Sequence, residues 1–151
     1  MEIFDGKKPP TREQIEQLEI RYKGKLSREY LDFLLAHNGG WPVPDGFNYI
    51  DNKTGSEKHG MVDCFLGIHN EYDNNFYKYL ETYKERMPID LIPIANDPGG
   101  NLICLSLESG EIYFWDHDCE VEEGEVPDYQ NLHFIADSFG VFLNNLTEFS
   151  R

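Results

Sequence analysis

The tract Trp115-Asp116-His117-Asp118-Cys119-Glu120-Val121-Glu122-Glu123-Gly124-Glu125 is where this chain concentrates side chains able to do chemistry. Carboxylates interleaved with a histidine and a cysteine are metal-donor types, so a metal centre is the first possibility to weigh. If the strand that begins at Ile112 continues through the tract, successive side chains alternate between faces. Ile112, Phe114, Asp116, Asp118, Glu120 and Glu122 then share one face, and Tyr113, Trp115, His117, Cys119 and Val121 the other. His117 would not reach an ion held by Asp116 and Asp118 without a bent backbone or ligands from elsewhere. A calcium loop starting at Asp116 fails as well, because its glycine and glutamate positions hold Val121 and Pro127. No metal and no cofactor is therefore expected. Two readings of the carboxylates stay open: a solvated acidic face, or a strand that docks a basic partner. Carboxylates spaced ~6.8 Å apart along a strand can meet several Lys or Arg side chains.

Elsewhere the sequence offers little catalysis. It has no G-x-S-x-G elbow, P-loop, dinucleotide fingerprint or H-E-x-x-H motif. Asp97 beside Asn96 could serve as a base, but an aspartate opening a turn is expected to accept backbone N–H bonds. A metal-dependent hydrolase built on Asp97, Asp116 and His117 is the remaining catalytic arrangement, and a non-enzymatic role is the expectation. His37 falls on the inner side of a helix, where a core or cap role is expected. Cys64, Cys104 and Cys119 form no CxxC pair, so reduced thiols in a reducing compartment are expected. Trp115 suits sheet packing or a partner hot spot, and Trp41 a hot spot.

The net charge of −15 is lopsided. Residues 87–150 hold 13 Asp and Glu and no Lys or Arg, whereas residues 1–86 sum to −3. Such a field repels nucleic acid and anionic membranes and attracts basic partners. The N-terminus lacks the apolar core of a signal peptide, and no run approaches the ~18 apolar residues of a membrane span. A cytoplasmic protein is expected.

The elements that must position these residues follow from periodicity and punctuation. Leu91 to Asp118 reads as a three-strand meander, with turns at Asp97-Pro98-Gly99-Gly100 and Glu108-Ser109-Gly110. Pro98 and Gly99 suit the central positions of a type II turn. Thr11 and Gln14 fit a capping box for a helix over about residues 11–23. Ser27 caps a second helix with Leu26, Tyr30, Phe33, Leu34 and His37 in one stripe, and Asn38-Gly39-Gly40 ends it with Gly39 in the left-handed position. Phe47–Ile50 is expected as a strand, 51–60 as a loop or hairpin tip, and 61–68 as the returning strand. Residues 71–86 carry a tyrosine-rich helical stripe that starts at Tyr72. Leu132–Ile135 forms a last strand, and Asp137 caps a helix burying Phe139, Phe142, Leu143, Leu146 and Phe149. At 151 residues this is one α+β domain, with a mostly antiparallel sheet of about five or six strands covered by two N-terminal helices, a middle helix and a C-terminal helix.

With these elements placed, the chain resembles the SUKH superfamily. The likeness rests on Leu26 to Gly40, on Ile92 to Leu105 with Ile112 to His117, and on Ile135 to Phe139 running into Phe142-Leu143. It implies Asn38, Gly39, Gly40, Asp97, Gly100, Asn101, Asp116, His117, Asp137 and Phe139 as motif positions. It also implies an immunity protein, monomeric or weakly dimeric, that neutralises a cognate toxin, often a nuclease. A regulatory scaffold of the same fold is the alternative. Set beside the charge distribution, the contacts to a basic toxin domain are expected from Asp116, Asp118, Glu120, Glu122, Glu123 and Glu125, with Trp115 or Trp41 as anchors.

Overall fold

The computed structural model describes residues 1–71 and 73–149. Tyr72, which the periodicity places at the start of the middle helix, lies outside them. In chain order the elements are β1 (Glu2–Phe4), α1 (Arg12–Tyr22), α2 (Arg28–His37), β2 (Trp41–Val43), β3 (Gly46–Ile50), β4 (Glu57–Met61), β5 (Cys64–Phe65), α3 (Phe76–Thr82), β6 (Leu91–Asn96), β7 (Leu102–Ser106), β8 (Ile112–Trp115), a 3-10 turn (His117–Cys119), β9 (Leu132–Ala136) and α4 (Phe139–Asn144). Seven strands form one antiparallel sheet in the order β4-β3-β9-β8-β7-β6-β5, and β1 and β2 pair separately. The sheet is thus larger than the sequence indicates, and the β1–β2 ribbon is additional to it. The return strand of the first hairpin starts at Glu57 instead of Met61, and α3 is confined to seven residues because Asn75 caps it, its side chain accepting the Lys78 N–H at 3.0 Å.

The meander β6–β7–β8 lies inside the sheet and is buried on both sides. Ile92, Ile94, Ile103, Leu105 and Ile112 face α1, α2 and α4 in the larger core. Leu91, Leu102, Cys104 and Trp115 face the other way, where Tyr79, Tyr83 and Met87 from α3 and its exit close over them. Pro93 is tolerated within β6 because it sits at a bulge, and β5 covers only Ala95 and Asn96 on the outer side.

Both N-terminal helices start as their sequences specify. Thr11 and Gln14 make the reciprocal box, with bonds of 2.8 and 3.1 Å, and Ser27 accepts the Tyr30 N–H. At the end of α2 the first left-handed residue is Asn38, φ +46, followed by Gly39 and Gly40 at +99 and +97. Asn38 does more than turn the chain. Its buried amide donates to the carbonyls of Lys8 (2.7 Å) and Ile68 (3.1 Å) and accepts the Ile68 N–H (2.7 Å). Three separate segments are tied through one side chain. The last helix is capped by Ser138, whose Oγ accepts the Val141 N–H, and not by exposed Asp137. Phe139 is buried edge-on against Tyr30 and Phe33, both at 5.1 Å, while Leu146 and Phe149 lie beyond the end of the helix.

The β3–β4 hairpin joins the rest of the sheet through a single ladder pair, Ile50 with Phe134. Asn52 reinforces that end, its Nδ2 donating to the Gln130 and Leu132 carbonyls and its N–H to His133 Nδ1. Gly46 and Thr147 close the other end through reciprocal backbone bonds. Across the hairpin the Lys58 ammonium lies 2.9 Å from Asp51, which also accepts the Lys53 N–H at 2.9 Å. These bonds, the lysine first, hold the Asp51 carboxyl down at about 2.

Two predictions follow from these contacts. Asn38→Ala removes the partners of the buried Ile68 N–H and carbonyl and of the Lys8 carbonyl and places Ala in a left-handed conformation, so chemical denaturation should show a loss of about 3 kcal/mol. The Asp51 pKa is lower folded than unfolded, so its stabilisation is full above the unfolded value of ~3.9 and fades as pH falls towards 2. Asp51→Asn should accordingly melt below the wild type at pH 6, with the gap closing by pH 2.

Candidate functional site

The β6–β7 turn and the end of β8 form one hydrogen-bonded unit. Asp97 Oδ1 accepts the N–H groups of Gly99 (2.9 Å) and Asn101 (2.8 Å), and its Oδ2 accepts the Asn101 amide (2.9 Å). The expected type II geometry is not formed: positive φ falls at Gly100, +90, and Gly99 is ordinary. Pro98-Gly99-Gly100 is a three-residue hairpin loop with glycine in its left-handed last position. Asn101 Oδ1 then accepts the His117 N–H at 3.0 Å, and Gly100 lies against the His117 ring. Asp97, Gly100, Asn101, Asp116 and His117, far apart in sequence, meet here in a structural arrangement.

At Asp116 the strand stops. Its Oδ1 accepts the Asp118 N–H at 3.0 Å and caps the 3-10 turn, while its backbone N–H and carbonyl bond to Asn131. An aspartate able to bond the backbone two residues on offers the chain an alternative to the ladder, and here that alternative wins. The expected alternation of Asp116, Asp118, Glu120 and Glu122 along one face is consequently absent. Asp118 points into solvent, 81% exposed, with the His117 ring 3.6 Å away. Glu120 turns back onto the protein and takes a two-pronged pair from Arg86, at 3.0 and 2.8 Å. Arg86 in turn lies over the Tyr83 ring, 4.6 Å from its centre, and 5.9 Å from that of Trp115.

Trp115 has no exposed surface and packs edge-on against Tyr83. That burial corrects its assignment as a partner anchor: the residue is part of the second core. Trp41 is 44% exposed and stacks on Phe4 with ring centres 4.6 Å apart, so it remains available.

Beyond the 3-10 turn, residues 120–131 run as a loop pinned at its ends. Tyr129 donates to Asp90 at 2.6 Å, a bond that pushes the phenol up to about 12. Gln130 Nε2 reaches the Cys119 carbonyl, and Lys53 Nζ lies 3.7 Å from the Cys119 sulfur. Between the pins Glu122, Glu123, Glu125 and Asp128 are exposed around a turn at Gly124. Asp118 and these four, without Glu120, make up the acidic surface. Residues 87–149 contain no Lys or Arg, and the preceding cation, Arg86, is already engaged by Glu120. Sequence reasoning missed the Arg86–Glu120 pair and the Asn131 clamp, whose partners lie 34 and 15 residues away. Among the described residues no three His, Cys, Asp or Glu side chains converge in a way that could hold a metal.

A seven-stranded antiparallel sheet with this helix arrangement, an Asn-Gly-Gly helix stop and a D-x-x-G-N turn seated under a W-D-H strand end defines a SUKH-type domain. The SMI1 / KNR4 family (SUKH-1) model matches residues 9–145, and the chain belongs to that family. It is also similar to the SPbeta prophage-derived uncharacterized protein YokK of Bacillus subtilis (strain 168), 32% identical over 151 residues that cover 91% of this chain and 75% of the relative.

Arg86 should matter more for packing than for charge. Arg86→Ala uncovers Trp115 and frees Glu120, so tryptophan quenching by acrylamide should rise, with a stability loss of about 1 kcal/mol for this partly exposed group.

Proposed function

We propose that this protein is a non-catalytic immunity protein that acts in the cytoplasm as a monomer or weak dimer, binding a basic toxin domain and covering its working surface. The observation that carries the reading is the uncompensated acidic loop, with Asp118, Glu122, Glu123, Glu125 and Asp128 exposed and Arg86 already spent on Glu120. A toxin that acts on nucleic acid needs a basic surface, and an acidic protein loop competes for that same surface. Membership of the SUKH-1 family and likeness to a prophage-derived protein support the reading. Charge accelerates encounter, while apolar anchors slow release. Trp41 can supply one anchor: β2 abuts β5, four strand spacings from β8, roughly 19 Å at ~4.8 Å each. That separation fits within a standard interface of ~800 Å² per partner.

The test is to express the toxin encoded beside this gene with and without the protein, following growth and complex formation. Rescue with a stable complex supports immunity; killing despite the protein, or a gene with no such neighbour, favours the scaffold role. In a rescuing pair, Glu122→Lys, Glu123→Lys and Glu125→Lys together should slow association about tenfold or more at low salt and flatten its salt dependence. An unchanged rate would put the interface elsewhere.

A further inference from the structure

The cover over the second face of the sheet buries the strands but is itself grooved. Between the exit of α3 and the acidic loop runs an open trough of about 620 Å³, floored by Leu91 and Pro93 and walled by Tyr83 and Met87 on one side and Val126 and Tyr129 on the other. Its lining is mostly carbon. Ile89 and Val126 project at the lips, 73% and 85% exposed. The acidic loop is itself one wall, because Val126 lies between Glu125 and Asp128 and the Tyr129–Asp90 bond holds that wall in place. The trough thus begins one residue from Glu125, within reach of a partner that pairs with the loop carboxylates.

We infer that the trough is the anchor pocket of the interface, receiving a large aliphatic or aromatic side chain from a basic segment of the partner whose Lys or Arg residues pair with Glu122, Glu123 and Glu125. The inference rests on the proposed binding of a basic protein. It supplies the apolar anchor beside the acidic loop that buried Trp115 does not. Charge sets the orientation: Arg21, Lys84 and Glu85 border the trough on the helix side, so the cations of the partner belong on the loop side. Openness favours a protein side chain over a free small molecule, since small ligands are usually enclosed over most of their surface. An exposed apolar patch rimmed by charge is the usual form of a protein contact.

The experiment uses the full chain and three synthetic 14-residue peptides: an amphipathic Lys/Leu helix former, the same peptide with Leu replaced by Ser, and the same with Lys replaced by Glu. Affinities are measured by calorimetry at several salt concentrations, and contacts by amide chemical shifts. The Lys/Leu peptide should bind, shift the amides of residues 83–91 and 122–129, and exceed the Lys/Ser peptide about tenfold or more. Ile89→Ser with Val126→Ser, both at exposed positions, should abolish that preference while keeping the salt dependence. Glu122→Gln, Glu123→Gln and Glu125→Gln should weaken both cationic peptides and flatten their salt dependence. Equal binding of the Lys/Leu and Lys/Ser peptides, a preference that survives the Ser variant, or no saturable binding overturns the anchor pocket. Glu/Leu binding as tight as Lys/Leu overturns the basic partner in favour of an apolar ligand. An unchanged salt dependence in the Gln variant instead counts against the acidic-loop reading itself, so the two failures are told apart.

Discussion

Everything in this molecule follows from burying a three-strand meander on both faces. A strand whose two sides are apolar cannot sit at a protein surface, so the chain must provide cover twice. One side receives α1, α2 and α4 with Phe76 and Leu80 of α3, and a continuous aromatic layer in which Phe33, Phe65, Phe139 and Phe142 pack ring against ring. The other receives the tyrosine side of α3 and its exit, Tyr79, Tyr83 and Met87. The fifteen residues between Asp116 and Leu132 form only a 3-10 turn and an acidic loop, and an open trough remains between that loop and the exit of α3. The candidate site lies where the second cover runs out.

The same constraint explains the treatment of charge. A loop carrying this many carboxylates would lift off an apolar sheet unless something drew it back. Glu120 is drawn back by Arg86, whose guanidinium is flat enough to lie over Tyr83 while its edge meets both carboxylate oxygens. One acid is thus neutralised to fasten the loop, and the rest remain charged at its tip. Net charge alone does not reveal that division of labour.

The sequence was most legible where local rules and burial agree. The capping box at Thr11, the Ser27 cap, the apolar stripe of α2 and the meander each need only neighbours within a few residues, and they appear as the patterns indicate. It was least legible where a side chain chooses between near and distant backbone. Asp116 could continue the strand or cap a turn, and Asn131, 15 residues on, tips it to the cap. Asn38 reads as a helix stop, but its bonds to Lys8 and Ile68 depend on tertiary placement. Trp115 carries the composition of a binding hot spot, and only the closure of Tyr83 and Arg86 over it makes it core. The β1–β2 ribbon went unseen because two three-residue strands almost 40 residues apart leave no periodicity to detect.

The pinned loop has an evolutionary consequence. Its fastenings, at Asp116, Glu120, Tyr129 and the amides of Asn52 and Asn131, lie at or near its ends, and the residues from Val121 to Asp128 make few bonds to the body. Substitutions in that interval change the outward face without disturbing either core. If the loop is the binding surface proposed above, such a scaffold lets its recognition diversify one residue at a time with little effect on folding.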